Sequence, residues 1–242
     1  MPLDNITNTN PKVSAKIKTK GDVQKCKQLI NDLPRKIAFL YSNPQLSAHI
    51  RPYLLPLNAL TREMRVVISL LNPFDFIIQP ATTIENFKET LTNYKPEIVF
   101  WSGHTIPGNG ELLFETEKGT AKLIEHQEFA DILKNMTQLN ILILMGCKTD
   151  KIAKIISEQI NIDVICWSTI TEDRAAASFT SGMVRYIQYM LDKNSEITAK
   201  EIYDKGLLQF NQDNFKEGDP EIEMNLKSIP TTHGIPTLIL KK

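Results

Sequence analysis

Residues 140–149 read NILILMGCKT, and five consecutive apolar residues, Ile141–Met145, lead directly into Gly146 and Cys147. A short uninterrupted apolar run is typical of a strand that is buried on both faces inside a parallel sheet. In open α/β folds such a strand delivers the residues after it to the carboxyl edge of the sheet, where these folds keep their sites. The stretch therefore predicts an α/β fold with a thiol at its functional edge.

A second stretch, residues 97–105 (EIVFWSGHT), has the same design and delivers His104 behind Gly103. A histidine beside a thiol at neighbouring strand ends is the arrangement that a Cys–His peptidase needs. The histidine activates the thiol and later protonates the leaving amine. We therefore predict a His104–Cys147 dyad, with an oxyanion bound by the backbone N–H groups of Cys147 and of Gly103 or Thr105.

Strand-like and helix-like apolar spacings alternate along the rest of the chain. Further strands are predicted at residues 36–41, 74–79, 163–167 and 236–240, a hairpin near 111–114, and helices at 57–71, 83–94, 125–135, 151–159, 172–191 and 198–210. This alternation indicates a mostly parallel sheet with helices on both faces. Residues 1–34 are predicted to form a polar tail and a short helix, and residues 35–242 one domain.

Composition excludes several classes of function. The 242 residues carry 28 basic and 28 acidic side chains, so there is no basic field to attract nucleic acid. Three cysteines without zinc spacing indicate a reducing compartment and no metal site. No signal-like or membrane-spanning apolar segment and no glycine-rich nucleotide motif is present, so we expect a cytoplasmic protein without membrane contact or cofactor.

The remaining histidines and cysteines are poorer candidates for chemistry. His49, His126 and His233 have no partner suggested by the sequence, and each is predicted to be a surface or structural residue. Cys166 lies inside an apolar strand and Cys26 on a helix face, so both are predicted to pack in the core.

Several motifs together resemble the CHAT domain, which belongs to the caspase-like cysteine peptidases with separases, metacaspases and caspases. In chain order they are KIAFLYSNP, ATTIENFKETL, WSGHT, LLFE, LMGCKT and VICWSTITEDRAAASF. The resemblance covers roughly residues 36–240. It implies a six-stranded caspase-like sheet, with His104 as general base and acid and Cys147 as the nucleophile.

The resemblance also carries expectations about specificity. In separase-like members, acidic residues just after the fifth strand help to bind a basic P1 side chain, and the matching positions are Glu172 and Asp173. The same two residues are also ordinary chemistry for the start of a helix. Met145 is the third position assigned to the P1 pocket, and there metacaspases tend to have an acid. The chain also departs from the family pattern at Thr105, where glycine is usual.

The function implied by the resemblance is regulated cleavage of a protein partner or of the chain itself, after Arg or Lys, in a setting such as defence or cell death. Because the chain has no repeats, any regulator or effector would be a separate subunit. Two alternatives stay open. Thr105 favours a catalytically silent CHAT-like module that binds a protein partner, and the α/β pattern alone also fits a flavodoxin-like module with a small ligand at the sheet edge.

Overall fold

The computed structural model describes residues 36–45, 57, 60–71, 76–106, 108–221 and 230–242. The predictions for residues 1–34, including Cys26, and for His49 lie outside this part of the chain. The strands of the described part are β1 (Ile37–Ser42), β2 (Phe76–Gln79), β3 (Ile98–Gly103), β4 (Leu112–Glu115), β5 (Ala121–Ile124), β6 (Ile141–Met145), β7 (Asp163–Trp167) and β8 (Pro236–Ile239).

Six of these strands form one sheet in the order β2-β1-β3-β6-β7-β8. All neighbours in it are parallel except β7 and β8, which pair antiparallel at the edge. The strands β4 and β5 form a separate antiparallel hairpin. The predicted mostly parallel six-stranded sheet is therefore confirmed.

Helices cover both faces of the sheet. They are α1 (Leu60–Leu71), α2 (Ile84–Glu89), α3 (His126–Leu133), α4 (Asp150–Ile160), α5 (Asp173–Asp192) and α6 (Ala199–Gln212). Thr83 caps α2 in a capping box with Asn86, and a π-helical turn over Thr90–Tyr94 follows the helix. None of the helices in the described part of the chain is long and apolar enough to cross a membrane.

Two apolar cores lie on opposite faces of the sheet. Side chains of α2, α3, α4 and the hairpin pack on one face, and those of α1, α5 and α6 pack on the other. Because both faces are covered, the inner strands are apolar throughout, which is why β6 has no alternation. Residues of β1, β3 and β6 stay in register up to the carboxyl edge, where Tyr41 lies opposite Ser102 and Ser102 opposite Met145.

Candidate active site

The register of β3 against β6 brings the two predicted catalytic residues to the same edge. Ser102 pairs with Met145, and His104 and Cys147 each follow this pair by two residues. His104 is buried, while Cys147 is partly exposed. The Thr105 hydroxyl donates a hydrogen bond of 2.6 Å to the Cys147 carbonyl. The loops that carry the histidine and the cysteine are therefore in direct contact.

Two glycines allow the strand ends to approach closely at this edge. A Cβ atom on Gly146 would lie 2.8 Å from Cγ2 of Thr105 and 2.9 Å from the Trp101 ring. A Cβ on Gly103 would lie 2.7 Å from the Ser42 carbonyl oxygen. A side chain at Gly146 would force the two loops apart, and a side chain at Gly103 would push the end of β3 away from β1, so glycine is required at both positions.

The sulfur of Cys147 lies under the loop that follows β7. The Thr171 N–H donates a hydrogen bond to Cys147 Sγ over 3.4 Å. Burial raises the pKa of the Cys147 thiol, and the negative charge of Asp173 raises it further. The Thr171 N–H and the positive charge of Lys148 act in the opposite direction. The resting thiol is consequently protonated at neutral pH and needs a base before it can react.

The backbone N–H of Thr105 is not used in the ladder with β4. Thr105 and Leu112 form an antiparallel bridge. The hydrogen bonds of this bridge are made by the residues beside them: the Leu113 N–H donates to the His104 carbonyl (2.9 Å), and the Ile106 N–H donates to the Glu111 carbonyl (2.8 Å). In such a pair the N–H groups of the bridged residues point away from the partner strand. The Thr105 N–H is thus directed away from β4.

The predicted P1 residues lie in different surroundings. Asp173 is the first residue of α5 and acts electrostatically on Cys147. Glu172 immediately precedes α5, and its carboxylate lies 3.6 Å from His233 Nε2 and 3.9 Å from Arg174 Nε. Met145 is 6 % exposed and packs in the core formed with α1, α5 and α6.

A cavity of about 300 Å³ adjoins this region. It lies between the loop after β7, which contributes Thr171 and Glu172, and the segment before β8, which contributes His233 and two prolines. His233 accepts a hydrogen bond from the Lys216 N–H at Nδ1 over 3.1 Å. His233, for which the sequence suggests no partner, lines this cavity and lies beside Glu172.

A buried acid that no sequence motif singles out lies beneath the site. Glu63 on α1 is 5 % exposed and accepts hydrogen bonds from the Ser102 hydroxyl (3.2 Å) and the Thr180 hydroxyl (3.0 Å). Burial raises its pKa from 4.5 to about 7, the two hydroxyls oppose this change, and the charge of Asp173 adds to it. Glu63 thus joins α1 to the His104 strand and to α5.

No protein-family model and no curated protein sequence matches the chain. Its structure is similar to caspase-1 from Spodoptera frugiperda, with a TM-score of 0.53 and 11 % identity over 86 % of each chain. It is also similar to a secreted C11 cysteine protease from Bacteroides thetaiotaomicron, with a TM-score of 0.50 and 6 % identity over 76 % of this chain and 60 % of that one. Both neighbours are cysteine proteases, and at these identities the likeness shows that the fold is caspase-like.

Proposed function

We propose that the protein is a caspase-like cysteine endopeptidase of CHAT type, with His104 and Cys147 as its dyad. The observation that carries the proposal is the contact between the two loops, the 2.6 Å bond from the Thr105 hydroxyl to the Cys147 carbonyl. It joins the residue after the histidine to the cysteine itself. The motif order that resembles CHAT domains and the caspase-like fold both support the assignment.

The proposed reaction proceeds through an acyl-enzyme. His104 takes the proton of the Cys147 thiol, and the thiolate attacks the scissile carbonyl carbon, whose π electrons move to oxygen. The N–H groups of Cys147 and of Thr105 or Gly103 bind this oxyanion. The C–N bond then breaks, and the amine leaves with the proton held by His104. A water molecule deprotonated by His104 attacks the thioester, which releases the acid and restores the thiol.

We propose Arg or Lys as the P1 residue. Asp173 supports this assignment, since its negative charge reaches the Cys147 sulfur and a cationic side chain in that region would be attracted to it. Glu172 contributes a second carboxylate, although His233 and Arg174 already lie beside it. The substrate is proposed to be a protein partner or the chain itself, in regulated proteolysis.

Covalent labelling tests the activity. Peptide acyloxymethyl ketones with Arg, Lys, Leu or Asp at P1 are incubated with the protein, and the adduct is measured by intact mass. We expect labelling of wild type by the Arg and Lys probes, none of Cys147→Ala or His104→Ala, and normal labelling of the control Cys166→Ala, which removes a buried thiol in β7. Asp173→Asn should reduce labelling by the basic probes relative to labelling by the Leu probe; the ratio is compared because loss of the Asp173 charge also lowers the pKa of Cys147.

Two outcomes would reject the peptidase assignment: no labelling of folded wild type by any of the four probes, or equal labelling of Cys147→Ala. The second candidate is a catalytically silent CHAT-like module that binds a partner protein. It is favoured by the raised pKa of the Cys147 thiol. A binding partner retained by Cys147→Ala, together with the absence of labelling, would support it.

A further inference from the structure

The peptide group that follows the proposed nucleophile is held at both of its polar ends. The Cys147 carbonyl accepts the hydrogen bond from the Thr105 hydroxyl over 2.6 Å. The Lys148 N–H donates a hydrogen bond of 3.0 Å to the Thr169 carbonyl. Thr105 belongs to the loop after β3 and Thr169 to the loop after β7. The loops after β3 and β7, the two strands that flank β6, therefore each contribute one hydrogen bond to the same peptide group.

This turn has a conformation that needs support. Lys148 has a φ of 54°, in the left-handed region that residues with a side chain rarely adopt. Strained residues of this kind persist where surrounding contacts over-determine them. Thr105 is 3 % exposed, so water cannot easily replace its hydroxyl as the partner of the Cys147 carbonyl.

The methyl group of Thr105 adds a second contact. Its Cγ2 atom lies 2.8 Å from the position that a Cβ on Gly146 would occupy, so the methyl packs over the glycine before the nucleophile. A glycine at position 105 would provide neither the hydroxyl nor the methyl. The Thr105 side chain therefore contacts the cysteine turn at two points, at Gly146 and at the carbonyl of Cys147.

We propose that Thr105 is a positioning residue for acyl transfer: its side chain fixes the Cys147–Lys148 peptide so that the N–H groups of Cys147 and Thr105 converge on the oxyanion. This proposal rests on the proposed peptidase function. The side chain of Thr105 contacts the cysteine turn. Of the groups of Thr105, only the N–H binds the reacting oxygen. Thr105, the position at which the chain departs from the CHAT pattern, thereby holds the histidine loop and the cysteine turn together.

Three variants separate the hydroxyl from the shape of the side chain. Thr105→Val keeps the shape and loses the hydroxyl, and Thr105→Ser keeps the hydroxyl. The control Thr92→Val makes the same chemical change at an exposed threonine whose hydroxyl donates to the Lys88 carbonyl. Hydrogen exchange of the segment 144–150 and alkylation of Cys147 by iodoacetamide need no turnover. The values of kcat and KM are measured with a fluorogenic peptide that carries the P1 residue of the best probe.

In Thr105→Val we expect the Lys148 amide to exchange about tenfold faster or more. We expect kcat to fall about tenfold or more with KM within about twofold, because the lost contact acts on the transition state. Iodoacetamide alkylation stays within about twofold, since it needs a thiolate and no oxyanion site. Thr105→Ser restores exchange and kcat, and Thr92→Val behaves as wild type.

Equal exchange in Thr105→Val and wild type, or an unchanged kcat, would overturn the proposal. If wild type hydrolyses no peptide, the proposed function fails, and the exchange of Thr105→Val against Thr105→Ser alone decides whether the hydroxyl holds the turn. If Thr105→Val does not fold, Thr105→Ala is used instead, because it also lacks the hydroxyl and is smaller.

Discussion

Replacement of the buried Glu63 by glutamine should remove a pH dependence of the folding stability. In the folded protein burial raises the pKa of Glu63 from 4.5 to about 7. Between these two pH values the folded state keeps a proton that the unfolded chain has lost, so the wild type loses stability as the pH rises through this window. A change from 4.5 to about 7 corresponds to about 3 kcal/mol, because each pKa unit is worth about 1.4 kcal/mol.

Urea unfolding followed by tryptophan fluorescence measures this effect, since Trp101 and Trp167 are both buried. Glutamine does not titrate, and the groups that do not interact with Glu63 contribute equally to both proteins. The free energy of unfolding of Glu63→Gln relative to wild type should therefore rise by about 3 kcal/mol between pH 4.5 and pH 8. If glutamine makes poorer hydrogen bonds with Ser102 and Thr180, the free energy of unfolding of Glu63→Gln is lowered by the same amount at every pH.

Two further variants sharpen the test. Thr180→Val removes a hydrogen bond that favours the ionised form, so the pKa of Glu63 should rise further and the loss of stability should extend to higher pH. Glu158→Gln makes the same acid-to-amide change at an exposed position on α4 and should leave the pH profile parallel to wild type. A Glu63→Gln difference that stays constant within about 1 kcal/mol from pH 4.5 to 8 would refute the reasoning.

Two other substitutions test the cysteine turn. Lys148→Met removes the positive charge that lowers the pKa of Cys147, so iodoacetamide alkylation at pH 7 should slow severalfold. The control Lys154→Met, on the exposed side of α4, should leave the alkylation rate unchanged. Equal rates for Lys148→Met and wild type would contradict the role of Lys148. Gly146→Ala should destabilise the protein by roughly 1–3 kcal/mol in urea unfolding, because its methyl would meet Thr105 and Trp101 at under 3 Å. A change below about 0.5 kcal/mol would show that the loops separate freely.

The strands that carry the site could be predicted from the sequence because their environment leaves a clear pattern. A strand covered on both faces is apolar at every position, and both β3 and β6 have this pattern. Parallel strands end at the same edge, so His104 and Cys147 could be expected near one another before any coordinates were known. The antiparallel edge strand β8 was predicted as a strand, but its direction follows from a long connection that carries no local signal.

Individual side-chain hydrogen bonds between distant elements could not be predicted. Thr171 donates to the Cys147 sulfur across 24 positions, and Glu63 accepts from Thr180 across 117. The helical spacing does indicate the burial of Glu63, since it precedes Val67 by four residues and Leu71 by eight and so falls on the buried face of α1. An acid on an apolar stripe is ordinarily assigned to its exposed margin. Only the hydroxyls of two other elements explain why this one is buried.

Thr105 bears on the choice between an enzyme and a silent module. Read as a missing glycine, it favours the silent module. Glycine is required where φ is positive or where a Cβ would clash, and Thr105 is not among the described residues with positive φ. Its side chain instead occupies the space over Gly146 and holds the Cys147 carbonyl. A threonine at position 105 therefore carries no backbone strain, and in the proposed reaction His104 has to overcome the raised pKa of the Cys147 thiol.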